Sequence, residues 1–146
     1  MADVTDLPVA VADVCVRVRK NIGACGPYAH VVVQFEPPGQ AGVELLSTVP
    51  QDRLPAEFLP ALREGLLEGL AGVAAAVQVT DGTFHDVDSS ERGYTIAGRE
   101  AGRAALIGAG LLPLEEAGSL RWTTWPRMPE PVRVRRGRPR PASASP

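Results

Sequence analysis

The chain has 146 residues, enough for one domain with a real core and too few for a comfortable pair. Apolar residues make up 45%, which excludes wholesale disorder, while aromatics at 5% leave the core to small aliphatic side chains. The net charge of −2 is uneven: from Arg127 onward six arginines face only Glu130, a surplus of five, so the preceding body carries −7.

An acidic body with a basic tail suggests two jobs, the tail touching nucleic acid or remaining a solvated segment. Lys20 is the only lysine among fifteen basic residues. Cys15 and Cys25 form neither a CxxC pair nor a disulfide framework. The opening Met-Ala-Asp-Val-Thr-Asp lacks a basic region before an apolar stretch, so no signal peptide is expected. No window approaches ~18 uninterrupted apolar residues, so no membrane span is expected. The expectation is a soluble cytoplasmic protein with reduced thiols.

Val14, Val16 and Val18 alternate with Cys15, Arg17 and Arg19, predicting a half-buried strand over Val9 to Arg19 with a basic outer face. Gly23-Ala24-Cys25-Gly26-Pro27 breaks it. Tyr28 to Glu36 is β-branched and apolar enough for a central strand, ended by Pro37-Pro38-Gly39. These two strands should form an antiparallel hairpin with the glycine-rich loop at its tip. Val43 to Val49 predicts a weaker third strand.

The period then changes. Phe58, Leu62, Leu66 and Leu70 recur every fourth residue, one face of a helix with Pro55 near its first turn. Gly65 and Gly69 lie beside that stripe; each costs about 1 kcal/mol against alanine in a helix, so close packing on a sheet is expected to compensate. Gly72 marks the stop, and Val73, Ala75, Val77 and Val79 predict a fourth strand ending at Asp81-Gly82. After the loop Thr83 to Asp88, the run Asp88-Ser89-Ser90-Glu91 has the form of a capping box. Tyr94, Ala97, Ala101 and Ala104 or Ala105 define the small-residue face of a second helix, stopped by Gly108-Ala109-Gly110. Leu111 to Leu114 reads as a short final strand, and Arg121 to Trp125 as an added edge segment, with Trp122 and Trp125 covering a sheet edge or, with Arg121, forming a stacking patch. The order β-β-β-α-β-α-β predicts a two-layer α+β domain over residues 1–125. The Pro, Arg, Ser and Ala run over 126–146 should be a disordered basic tail.

His85, Asp86 and Asp88 fall within four residues and admit an acid–base pair or a metal site. Asp88 is occupied as a cap, however, and no third ligand follows at a recognisable spacing, so neither catalysis, a metal nor a cofactor is expected. His30, inside the apolar strand, reads as a satisfied structural histidine, and Cys25 as an inert loop thiol.

Three motifs make the reading specific. Gly23-Ala24-Cys25-Gly26-Pro27-Tyr28-Ala29-His30-Val31-Val32 resembles the signature of elongation factor G domain IV, a glycine-rich loop followed by Tyr-Gly-His-Val-Val. Leu54-Pro55-Ala56-Glu57-Phe58-Leu59-Pro60-Ala61 resembles that family's Ile-Pro-Gly-Glu-Tyr-Ile-Pro-Ala. Phe84-His85-Asp86-Val87-Asp88-Ser89-Ser90-Glu91 is similar to its Tyr-His-Asp-Val-Asp-Ser-Ser-Glu. The resemblance covers roughly Val9 to Glu116. It implies a mixed sheet of four to five strands with two helices on one face and a left-handed β-α-β crossover, like the second domain of a small-subunit ribosomal protein.

It also implies a role: in the parent factor this domain is the arm that enters the decoding region and contacts mRNA, tRNA and small-subunit rRNA. The tip loops carried over are Gly23 to Tyr28 and Thr83 to Asp88, so the implied binding residues are Gly23, Ala24, Cys25, Gly26, Pro27, Tyr28, Phe84, His85 and Asp86. His85 stands at the position of the tip histidine. Arg17, Arg19 and Lys20 are the supporting basic residues. Ala24, Cys25 and Pro27 replace the family's glycine, arginine and glutamine, which removes its phosphate-contacting arginine. No GxxxxGK[ST] run is present, so the expectation is a free-standing domain IV without a GTPase. A protein-interaction domain that kept the scaffold and lost the RNA is the second reading, and an enzyme on the same scaffold the third.

Overall fold

A computed structural model describes residues 5–19, 28–40, 42–84 and 91–126. In chain order these form β1 (Thr5–Asp6), β2 (Val11–Arg19), β3 (Tyr28–Glu36), β4 (Val43–Ser47), a 3-10 turn (Ala56–Phe58) running into α1 (Leu59–Leu70), β5 (Val73–Thr83), α2 (Glu91–Gly108), a 3-10 segment (Leu114–Ser119) and β6 (Thr123–Thr124). β3 lies between antiparallel neighbours β2 and β5, and β6 pairs antiparallel with the outer edge of β2. β4 runs parallel to β5; Val77 is matched by Phe35 of β3 and Leu45 of β4, so the two flank β5 on opposite edges. The two-residue β1, unmarked by any periodicity, adds parallel to the start of β5.

The alternation in β2 works as expected. Val14, Val16 and Val18 are fully buried while Arg17 and Arg19 are exposed. The strand starts two residues later than Val9, and its pairing with β3 is interrupted at Asp13, which takes a left-handed φ of 57°. An aspartate tolerates that conformation, and Gln34 holds it from both sides: the Asp13 amide donates to Gln34 Oε1 and Gln34 Nε2 donates to Asp13 Oδ1, each at 2.9 Å. Ala29, Val31, Val33 and Phe35 of β3 and Val77 and Val79 of β5 continue the buried face. The opposite face, with Arg17, Arg19, Glu36 and Thr80, is exposed. One covered face and one open face make two layers.

The helices supply the second layer. Tyr94, Ala97, Ala101, Ala104 and Ala105 are completely buried along α2, and Leu62, Leu66 and Leu70 along α1. Phe58 stacks on Tyr94 with ring centres 4.6 Å apart. The glycines of α1 do not rest on the sheet as the sequence led us to expect; they meet α2. A Cβ on Gly65 would collide with the Thr95 carbonyl and stand 2.8 Å from the Arg99 amide nitrogen, and one on Gly69 would collide with the Arg99 carbonyl. Gly98 and Gly102 answer from the other side, a Cβ on Gly98 falling 2.7 Å from the Leu66 nitrogen and one on Gly102 2.8 Å from the Leu70 nitrogen. Glycines four apart on both helices therefore let two backbones touch, which no side-chain periodicity reveals.

Leu111 to Leu114 is not a strand. Gly110, at φ 82°, ends α2 in a left-handed turn; its amide returns to Ile107 O (3.1 Å) and that of Leu111 to Leu106 O (2.8 Å). With those donors spent on the helix end and Pro113 lacking an N–H, no sheet ladder can form, and the chain passes into the 3-10 segment. The expected edge segment is present as β6, with Trp125 buried beside it.

Candidate nucleic-acid interface

The last matched pair of β2 and β3 is Arg19 with Tyr28, and the last of β3 and β5 is His30 with Thr83. The segment 20–27 joins the first pair, and 85–90 leaves β5 one residue beyond Thr83. Both segments thus depart from one end of the sheet, on neighbouring strands. Gly23, Ala24, Cys25, Gly26, Pro27, Lys20, His85, Asp86 and most of the expected capping box, Asp88, Ser89 and Ser90, lie outside the described residues, as does the tail beyond Pro126.

The base of that end is a hydrogen-bonded cluster. Tyr28 Oη lies 3.0 Å from Thr83 Oγ1, and His30 Nδ1 lies 3.1 Å from the same hydroxyl. Across the strand on the other side, the Arg17 guanidinium is 3.4 Å from His30 Nε2. Arg17 can only donate, so Nε2 accepts and the ring proton sits on Nδ1, donated to Thr83. Tyr94, from the first turn of α2, donates its hydroxyl to Thr83 O at 2.7 Å. A Cβ on Gly93 would press within 3.2 Å of Tyr28 O, so the helix start lies close against the first residue of β3.

His30 is accordingly the satisfied structural histidine that its apolar setting implies, 7% exposed. Burial foremost, and then the positive charge of Arg17, hold its pKa below the ordinary value of 6.5. The folded state therefore favours neutral imidazole. Stability from this group is complete above about pH 6.5 and is lost as pH falls through the depressed folded value. Urea midpoints measured from pH 8 to pH 4 should drop on the acid side, and His30→Gln should flatten that part of the fall; an identical profile in the variant would mean that other groups set it.

Of the residues singled out from the sequence, Arg17 and Arg19 stand exposed on the open face beside this cluster. Tyr28 is half-buried in it. Phe84 packs against the core, its ring 6.2 Å from that of Phe58. Thr83 and Tyr94 tie the base together over sequence separations of 55 and 11 residues, and nothing in their local sequence announces it. At the outer edge of β2, the Arg17 amide donates to Trp122 O (2.9 Å), and the Arg121 guanidinium lies 5.2 Å from the centre of the half-buried Trp122 ring. Asp81, on β5 opposite Val32, is paired with Arg53 at 2.8 Å, and that hydrogen bond holds its carboxyl below the ordinary range. Among the described residues no three His, Cys, Asp or Glu side chains converge to hold a metal, and no helix is long and apolar enough to cross a membrane.

Residues 11–110 match the family model for elongation factor G, domain IV. The chain belongs to that family. The match runs from the first residue of β2 to the glycine that closes α2, so it contains both loop segments and the strands that carry them. The chain is also similar to a Thermus thermophilus protein of known crystal structure, at 26% identity and a TM-score of 0.47 over 67% of this chain. It spans 16% of the length of that protein. This is a domain-IV-like protein of the translation-factor type.

Proposed function

We propose that this domain IV protein is a non-catalytic module that associates with the small ribosomal subunit in the cytoplasm, presenting the loops 20–27 and 85–90 to rRNA, mRNA or tRNA. The observation that carries this reading is the departure of both segments from one end of the sheet, on adjacent strands. Two segments anchored on neighbouring strands at one end can serve one unpaired stretch of RNA, where exposed bases accept stacking and hydrogen bonds. Arg17 and Arg19 bring positive charge to that end of a body that is otherwise acidic. In this reading the domain acts as a binding surface; its 146 residues hold no phosphate-cradling GxxxxGK[ST].

Purified protein should co-sediment with small subunits at low salt and leave them as salt rises, because phosphate contacts release counterions. Absence from the subunit pellet at low salt would overturn the proposal. The charge of −7 on the body favours a second reading, a domain that engages a cationic protein partner; it is supported instead if a pull-down recovers one partner regardless of ribonuclease treatment.

A further inference from the structure

The open face of the sheet is polarised along its strands. Away from the loops it carries Glu36 and Glu44, with Asp13 locked to Gln34. Toward the loops, the rows from Cys15 to Arg19 on β2 and from Tyr28 to Val32 on β3 contain no carboxylate, and the nearest one on β5, Asp81, is already paired with Arg53. Arg17 and Arg19 are both exposed there, two residues apart on one face and so about 6.6 Å apart along the strand. Tyr28 sits opposite Arg19, and His30 opposite Arg17. The half-buried Trp122 borders the row at the β2 edge, its carbonyl accepting from the Arg17 amide, while Arg121 lies on the helix side with Glu68, Arg99 and Glu100. Neither α1 nor α2 covers this face, since both pack on the other side.

We propose that this end of the open face is a platform for single-stranded RNA, continuous with the loop end of the domain. The arginines take consecutive phosphates of an extended strand, with the half-buried Tyr28 and Trp122 flanking the row, the pairing of cationic and aromatic side chains that sequence-tolerant single-strand binding uses. A double helix is disfavoured: a strip one to three strands wide with side chains in alternate rows fits a single backbone, not the wide shallow groove of A-form RNA. The inference rests on the RNA reading above and extends it from two loops to a surface, naming which side of the domain the nucleic acid follows.

The test uses the full chain and a fluorescein-labelled single-stranded RNA ten-mer of mixed sequence, followed by anisotropy at 50 mM salt. Arg17→Gln with Arg19→Gln, both exposed, should weaken binding ten-fold or more and reduce the dependence of log K on log salt by about 0.7 for each arginine removed. Arg63→Gln on α1, in the other layer of the domain, should leave it unchanged, and circular dichroism of each variant checks the fold. Binding that is indifferent to Arg17 and Arg19 overturns the platform, as does equal affinity for poly-glutamate or for duplex RNA. Small-subunit association with no ten-mer binding overturns the platform and leaves the proposed function standing; ten-mer binding through the arginines without small-subunit association does the reverse.

Discussion

Gly98→Ala should lower the unfolding free energy of this domain by about 3 kcal/mol or more, which for a domain of this size is a fall of roughly 10 °C in midpoint temperature. In an exposed helix the same change would add about 1 kcal/mol of stability through propensity alone. Here the added methyl runs into the Leu62 carbonyl and the Leu66 nitrogen, both backbone atoms of α1. Backbone cannot swing aside as a side chain does, so α1 and α2 must separate along the whole seam where Gly65, Gly69, Gly98 and Gly102 interlock. Gly65→Ala should behave alike, striking the Thr95 carbonyl and the Arg99 nitrogen. Gly108→Ala meets only side-chain atoms of Val11 and Trp125, the nearest at 3.0 Å, and should have a smaller effect. Gly118→Ala meets nothing within 4 Å and should be close to neutral. Urea unfolding of the four variants orders them; a midpoint for Gly98→Ala at or above the wild type would mean that the helices do not touch at this seam.

Glu100→Ala should have the next largest effect, about 3 kcal/mol, and a local signature besides. Glu100 is 6% exposed, a carboxylate inside the fold. Its Oε2 accepts from the Arg121 amide at 3.0 Å, and its Oε1 from the Trp122 amide at 2.9 Å and the Thr123 hydroxyl at 2.8 Å. The side chain is the latch that pins the approach to β6 onto α2, so that Thr123 and Thr124 can pair with β2. Removing it takes the acceptor from three donors at once, each loss costing about 1 kcal/mol or more. Amide exchange at Arg121 and Trp122 should accelerate far more than exchange in β3, and the emission of Trp122 and Trp125 should shift as β6 detaches. Glu100→Gln keeps one acceptor oxygen and should fall between. Uniform acceleration of exchange across the domain would contradict a local latch.

The long periodic elements were legible because burial imposes a period. Valines at every second position in β2, leucines at every fourth in α1 and alanines along α2 each mark one covered face, and the structure covers those faces. What escaped has no period. Glycine at 65 and 69 signals close approach but not the partner, which is set by Gly98 and Gly102 on a different helix. Leu111 and Leu112 look like strand residues, yet their amides are claimed by the end of α2, a demand visible only once Gly110 is known to turn left-handed. The two residues of β1 are too few to carry any pattern. At the candidate interface, the exposed side of Arg17 and Arg19 follows from alternation alone. The cluster of Tyr28, His30, Thr83 and Tyr94 does not, because it joins two strands and a helix through hydroxyls and an imidazole whose sequence neighbours are ordinary.

Small-subunit co-sedimentation at low salt, with the wild type beside His85→Ala and beside a chain whose residues 21–26 are replaced by a Gly-Ser linker, bears most directly on the central claim that two neighbouring loops at one end of the sheet engage RNA. The wild type should pellet with subunits, the linker variant should remain in the supernatant, and His85→Ala should be intermediate. Pelleting of all three alike would place the contact elsewhere on the molecule and contradict the claim.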